Sequence, residues 1–230
     1  MSMSMGMTQF DQSVIDLIES IRRFLIKSES AFAEPVLQKM GALSIDEPGF
    51  CIQNPNLPDH MKHYLGQGLQ EMRQNGLDDI RYRIESAYDL LNWQVDDGLY
   101  YEKDADVGEA YTGNNMHCEL IGPRNSFFKS PDFTLGIFVL GSHVLYRDHC
   151  HVAPEFYLNM TGPTQWRFNK GEWGTFEQGS MLWNDSGRVH ATRVGNIPFV
   201  SVYSWIHSIT EPCQVVDADD WDQYEQAHRP

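Results

Sequence analysis

His149-Cys150-His151, followed by Glu155 and Tyr157 and much later by His190, constrains this chain more than any other feature. Imidazole and carboxylate groups are the ligands that divalent first-row metals favour, and three or four of them on a rigid scaffold make a metal centre. Along a strand alternate side chains point the same way. His149, His151, Glu155 and Tyr157 would therefore share one face of a strand without a bulge, whereas a helix would scatter them. Cys150 falls on the opposite face and is left out of the site. The expected ligands are His149, His151, Glu155 and His190, around one divalent transition metal ion: Zn, Fe, Mn, Co or Ni.

The chain of 230 residues is long enough for a sizeable core, and 41% hydrophobic residues with 12% aromatics exclude a disordered polymer. A formal net charge of −15 argues against nucleic acid or an anionic membrane as partner, because phosphate binding needs a basic surface. A cationic small molecule is compatible with it. No apolar run is long enough to span a bilayer. Met1 to Gly6 reads as an added leader rather than a signal peptide, with Met7 as the natural start. Cys51, Cys118, Cys150 and Cys213 show no CxxC spacing or disulfide framework, so free thiols and a cytoplasmic location are expected.

Phe10, Val14, Leu17, Ile18, Ile21, Phe24 and Leu25 recur at helical spacing, which predicts an amphipathic helix over about 8–28. Pro35 and the turn signal Asp46-Glu47-Pro48-Gly49 interrupt the chain before a second helix, about 58–75, ended by Asn75-Gly76. A third is predicted over about 77–92. After Asp96-Asp97-Gly98 the pattern changes to short apolar segments separated by Gly- and Asn-rich turns at intervals of about a dozen residues, the spacing of a sandwich or barrel. These segments are Met116–Ile121, Phe133–Leu140, Glu155–Met160, Gln165–Phe168, Gly179–Trp183, Val189–Val194 and Phe199–Ile206. The division expected is a helical region over 1–95, a β-barrel over 96–215 and an acidic tail over 216–230. The helical stripe must be buried on the barrel or on a second subunit, which allows a homodimer.

Gly141, then His149-x-His151-x3-Glu155-x6-Gly162, and further on Gly179-x5-Asp185-x-Gly187-x2-His190, resemble the two motifs of the cupin superfamily. Seven residues rather than the usual five separate Gly141 from His149, and Asp185 stands where the second motif has proline. The resemblance implies a mainly β fold, a cupin antiparallel β-barrel with an α-helical N-terminal extension. With Tyr157 added, the string is similar to the cupin-type dimethylsulfoniopropionate (DMSP) lyases, over about residues 100–210. That likeness implies cleavage of a zwitterionic sulfonium carboxylate to acrylate and dimethyl sulfide by β-elimination. Tyr157 is the candidate base, since a phenol of ordinary pKa about 10 becomes more acidic beside a metal cation. The family also implies Tyr146 and Trp205 as substrate-binding aromatics, with Trp183 and Tyr203 as further candidates. Two rival readings share the ligand set: an iron-dependent cupin dioxygenase, which consumes oxygen, and a non-catalytic metal- or ligand-binding cupin.

Overall fold

The computed structural model describes residues 9–43, 57–73, 76–96, 98, 100–124 and 126–227. Cys51, the turn at Asp46-Glu47-Pro48-Gly49, Asn75, Asp97 and the Met1 to Gly6 leader lie outside them. Four helices come first: α1 (Gln9–Ser28), α2 (Glu34–Ala42), α3 (Asp59–Glu71) and α4 (Asp78–Ala87), the last running into a 3₁₀ turn at Tyr88–Leu90. The second of these departs from expectation. Pro35 does not interrupt the chain there but occupies the first turn of α2, where its missing N–H costs nothing.

A short α5 (Glu109–Gly113) precedes eleven strands, and α6 (Trp221–Ala227) follows them. One sheet has the order β2 (Phe128–Lys129), β1 (Asn115–Gly122), β3 (Thr134–Leu140), β10 (Phe199–Trp205), β5 (Glu155–Asn159), β8 (Met181–Asn184). The other runs β11 (Gln214–Val215), β4 (Leu145–Cys150), β9 (His190–Val194), β6 (Thr164–Phe168), β7 (Gly174–Phe176). This is the mainly β cupin fold with N-terminal helices. The expected barrel is corrected in one respect: hydrogen bonding does not close the ring, and the fold is two facing sheets of six and five strands.

Strand parity explains three layers. In β3 every residue is buried, because the strand is covered on both sides. Leu135, Ile137 and Val139 belong to the core shared with the helices, as do Met116, Cys118 and Leu120 of β1 and Phe156 and Leu158 of β5. Phe138, Leu140, Tyr157 and Phe199 point the other way, into a second core with Trp166 and Val194 of the five-stranded sheet. The α1 stripe, Val14, Leu17, Ile18, Ile21 and Leu25, is almost wholly buried within the first core. Each such aliphatic side chain contributes roughly 1.5–3 kcal/mol. Among the described residues no helix is long and apolar enough to cross a membrane.

Candidate active site

The histidines and Glu155 do not come from one strand, as the odd-number alternation predicted. His149 is the last residue but one of β4 in the five-stranded sheet; Glu155 and Tyr157 lie on β5 in the six-stranded one. Residues 151–154 carry the chain across the gap, so the groups meet from opposite walls. The physical reason lies in Pro154 and the turn before it, which end β4 pairing. His190 faces His149 directly across the β4–β9 ladder.

The register of that ladder shifts between Tyr146 and His149: Tyr146 pairs with Thr192 and His149 with His190, so β4 holds one extra residue. Arg147 and Asp148 both turn outward as a result. Arg147 meets Glu225, and Asp148 meets Arg167 and the Trp221 indole. Tyr146 turns inward despite its even number, and stacks on His149 with ring centroids 4.1 Å apart.

Nitrogen atoms of His149, His151 and His190 lie within 4.8 Å of one another, all three rings being buried. Each Nδ1 sits on a backbone carbonyl: His149 on Arg147 (2.7 Å), His151 on Ala153 (2.7 Å), His190 on Arg188 (2.9 Å). A carbonyl only accepts, so each Nδ1 carries a proton and each ring directs its Nε2 inward. Carbonyls in this position also fix the orientation of metal-binding imidazoles. Glu155 Oε2 is 3.2 Å from Nε2 of both His151 and His190. Its carboxylate is fixed by Asn184 Nδ2 at Oε2 (3.1 Å) and Trp205 Nε1 at Oε1 (2.8 Å), the residues opposite it on the flanking strands.

Electrostatics favour a cation here. Burial pushes the His149 imidazole well below its ordinary value, and its neighbours His190 and His151 push it further. Burial also lowers His151, but the Glu155 charge and hydrogen bond outweigh it and hold that ring up. For Glu155 the burial that would raise its carboxyl is outweighed by His151 and His190, which hold it well below the usual range. His190 Nε2 is buried and faces Glu155 Oε2 without a well-aligned hydrogen bond. Three converging imidazole nitrogens and a carboxylate make a donor set that fits a divalent transition metal.

Beside this centre a cavity opens between the sheets, lined by Glu155, Tyr157, Tyr146, Trp205 and Tyr203 on one side and by Tyr100, His117, Glu119 and Arg124 on the other. Tyr146 reaches it by its edge only. Its ring is sandwiched between Tyr111 (4.3 Å) and His149 (4.1 Å), so neither face is free to hold a cation, and its hydroxyl accepts a hydrogen bond from Tyr101. Trp183 does not line the cavity. It alternates to the helix-covered face of β8, packs on that core and donates to Asp185 (2.9 Å). Cys150 is half-buried, opposite Gln214 of β11.

Asn184, His117 and Glu119 escape the motif reading. A signal existed in β1, where polar Asn115, His117 and Glu119 alternate with apolar Met116, Cys118 and Leu120 in a strand buried throughout. Buried polar alternation of that kind marks a face lining a polar interior.

No curated protein matches the chain by sequence. Among solved structures, a chain from the crystal structures of the DMSP lyases RdDddP and RnDddQII overlays with a TM-score of 0.69 at 15% identity, covering 91% of this chain and 100% of that one. The DMSP lyase DddQ from Ruegeria pomeroyi DSS-3 gives 0.69 at 16%, covering 90% and 97%. A cupin-like protein from Thermotoga maritima covers 56% of this chain and 96% of its own at 14% identity, TM-score 0.43. At these identities the two DMSP lyase overlays establish the fold alone. The family profile of the dimethylsulfoniopropionate lyases matches residues 53–201, well over half of the sequence. The chain belongs to the dimethylsulfoniopropionate lyase family and is a carbon–sulfur lyase.

Proposed function

We propose that the chain cleaves dimethylsulfoniopropionate to acrylate and dimethyl sulfide by metal-assisted β-elimination, with His149, His151, Glu155 and His190 as the metal ligands and Tyr157 as the base. The observation that carries the reading is the convergence of three Nε2 atoms and Glu155 on one point beside the Tyr157-lined cavity. A divalent cation bound there supplies Lewis-acid stabilisation of the charge that builds on the substrate carboxylate as its α-proton leaves.

The remaining work falls to side chains. Trp205 and Asn184 fix the Glu155 carboxylate, and the carbonyls of Arg147, Ala153 and Arg188 fix the imidazoles, so the centre is rigid before substrate arrives. The two sheets exclude bulk water around Tyr157, which is buried among Phe138, Trp166 and Phe199. Burial raises the Tyr157 phenol well above its ordinary value, and Glu155 and Tyr146 add to this. Positive charge at the neighbouring centre acts in the opposite sense. The Tyr157 oxygen takes the α-proton, the Cα–H electrons form the double bond, and the Cβ–S pair leaves with neutral dimethyl sulfide.

Headspace measurement of dimethyl sulfide over metal-loaded protein with DMSP tests this. Stoichiometric dimethyl sulfide and acrylate without oxygen uptake are expected. Absence of dimethyl sulfide, or oxygen consumed in proportion to product, would overturn the reading in favour of the oxygenase class that shares these ligands.

A further inference from the structure

Building on the lyase reading, we propose that Glu119 is a specificity-determining residue: its carboxylate receives the cationic sulfonium end of the substrate, in a subsite walled by the rings of Tyr100, Tyr203 and Trp205.

The cavity is polarised along its length. One end is bordered by Glu155, beside the imidazole centre, which suits the substrate's carboxylate once a cation is bound. At the other end stands Glu119, 7% exposed, its Oε2 buried and without a hydrogen bond. An orphaned buried carboxylate oxygen is costly unless something positive completes it. The ion pair already present does not: Arg124 lies 3.8 Å from Oε1, beyond hydrogen-bonding range, with 41% of its side chain in solvent. A compact onium group has no donors to offer. It binds through charge and through aromatic faces; Arg124 lies over the Tyr100 ring at 4.4 Å, so the faces this end offers are chiefly those of Tyr203 and Trp205, with Tyr100 as a side wall.

Two glycines shape the subsite. A Cβ at Gly122 would stand 2.4 Å from Glu119 Oε2, so the carboxylate occupies the space a side chain would need and lies beside Thr134. A Cβ at Gly136 would stand 2.5 Å from Tyr203 Cε1. Glu119, Gly136 and Tyr203 are consecutive partners across β1, β3 and β10, so the missing side chain on β3 lets the Tyr203 ring lie across toward β1. Thr134, Trp205 and Glu155 form the parallel row. The carboxylate beside Thr134 is thus two strand spacings, roughly 10 Å, from the strand bearing Glu155. A short zwitterion fits between them with its carboxylate toward the imidazoles and its cation toward Glu119.

The test compares two analogues by calorimetry on metal-loaded protein: the trimethylammonium analogue of the substrate, which keeps the cation, and 3-(methylthio)propionate, which lacks it. Wild type should bind the cationic analogue at least tenfold tighter. Glu119→Gln should bring the two close to equal by weakening the cationic analogue alone, with metal content unchanged, and should raise KM for DMSP at least tenfold. Equal binding by wild type overturns the proposal. So does an unchanged preference in Glu119→Gln, or a parallel loss of both analogues, which marks a structural role. Loss of both analogues in Arg124→Gln also overturns it, because the substrate carboxylate would then sit at Arg124. Should Glu119→Gln not fold, Gly122→Ala displaces the carboxylate instead and must abolish the preference. Dimethyl sulfide release by wild type is read separately: its presence alongside an unchanged KM in Glu119→Gln sinks the subsite and spares the lyase reaction.

Discussion

Tyr157 and His117 line the same cavity, and burial pushes the two in opposite directions. The Tyr157 phenol is raised, so it can act as a base only with positive charge beside it. Tyr157→Phe removes one oxygen and keeps the ring among Phe138, Trp166 and Phe199. We expect normal metal content and a kcat lower by about 10² to 10⁴, the usual contribution of general base catalysis. Turnover near wild type at matched metal occupancy would remove Tyr157 from the reaction and turn attention to the Tyr146 hydroxyl. His117 Nε2 and the Tyr100 hydroxyl share a hydrogen bond of 2.7 Å, and burial, then the nearby Arg124 charge, lower the imidazole from 6.5 to about 4. The unfolded chain therefore takes up this proton first as the medium acidifies. The His117 contribution is full above pH 6.5, declines between 6.5 and about 4, and is constant below, a loss of roughly 3 kcal/mol. Urea unfolding across that range should show wild type losing stability relative to His117→Gln as pH falls; parallel curves would refute the assignment.

At the scale of elements, the site depends on places where the chain departs from regular alternation. That His149, His151, Glu155 and His190 belong together was legible, because residue chemistry and motif spacing survive in the sequence. Their assembly was not: the one-residue bulge in β4 and the crossover at residues 151–154 leave no periodic trace, so alternation gave no account of the inward turn of Tyr146, and Glu155 looked like a neighbour on the same strand. Trp183 was misread for a related reason, since parity cannot say which face of β8 the helices cover. The bulge also has a backing. Arg147 and Asp148, turned outward, are held by the C-terminal segment: Arg167 joins Asp148 to Asp220 (2.5 Å), Trp221 donates to Asp148 (2.8 Å), and Glu225 holds Arg147 (2.8 Å). Where it forms α6 the acidic tail therefore packs against β4. Arg167→Met should leave the buried Asp148 charge uncompensated and cost about 3–5 kcal/mol. It should also weaken metal binding about 10- to 100-fold, since the carbonyl of Arg147 orients His149. Unfolding curves and metal competition titrations read the two effects, and Asp148→Asn in the same chain should restore much of the stability. A doubly substituted protein no more stable than Arg167→Met would place the cost elsewhere.

For the molecule as a whole, the layered order explains how a cavity with this many buried polar groups can persist. The helices and the outward rows of the six-stranded sheet form a predominantly apolar core, while the inward rows face imidazoles, carboxylates and phenols. Sequence periodicity reported the first well, because helix stripes and sheet runs obey simple rules. It said little about the second, where residues distant in sequence converge. The inner layer is the one a cation would complete: Glu155 stands 3.2 Å from Nε2 of both His151 and His190, and His149 converges on the same point. A bound metal should therefore stabilise the native state by mass action, about 4 kcal/mol when free metal exceeds its dissociation constant a thousandfold. In a chain of this size that corresponds to a rise in Tm of roughly 8–16 °C. Calorimetric scans before and after chelation should show this difference in wild type. His190→Ala removes one ligand and its buried Nε2 together, so its Tm should barely respond to metal while staying near that of the chelated wild type. A wild-type Tm indifferent to chelation, or a full metal response retained by His190→Ala, would show that the ligands are not the ones assigned.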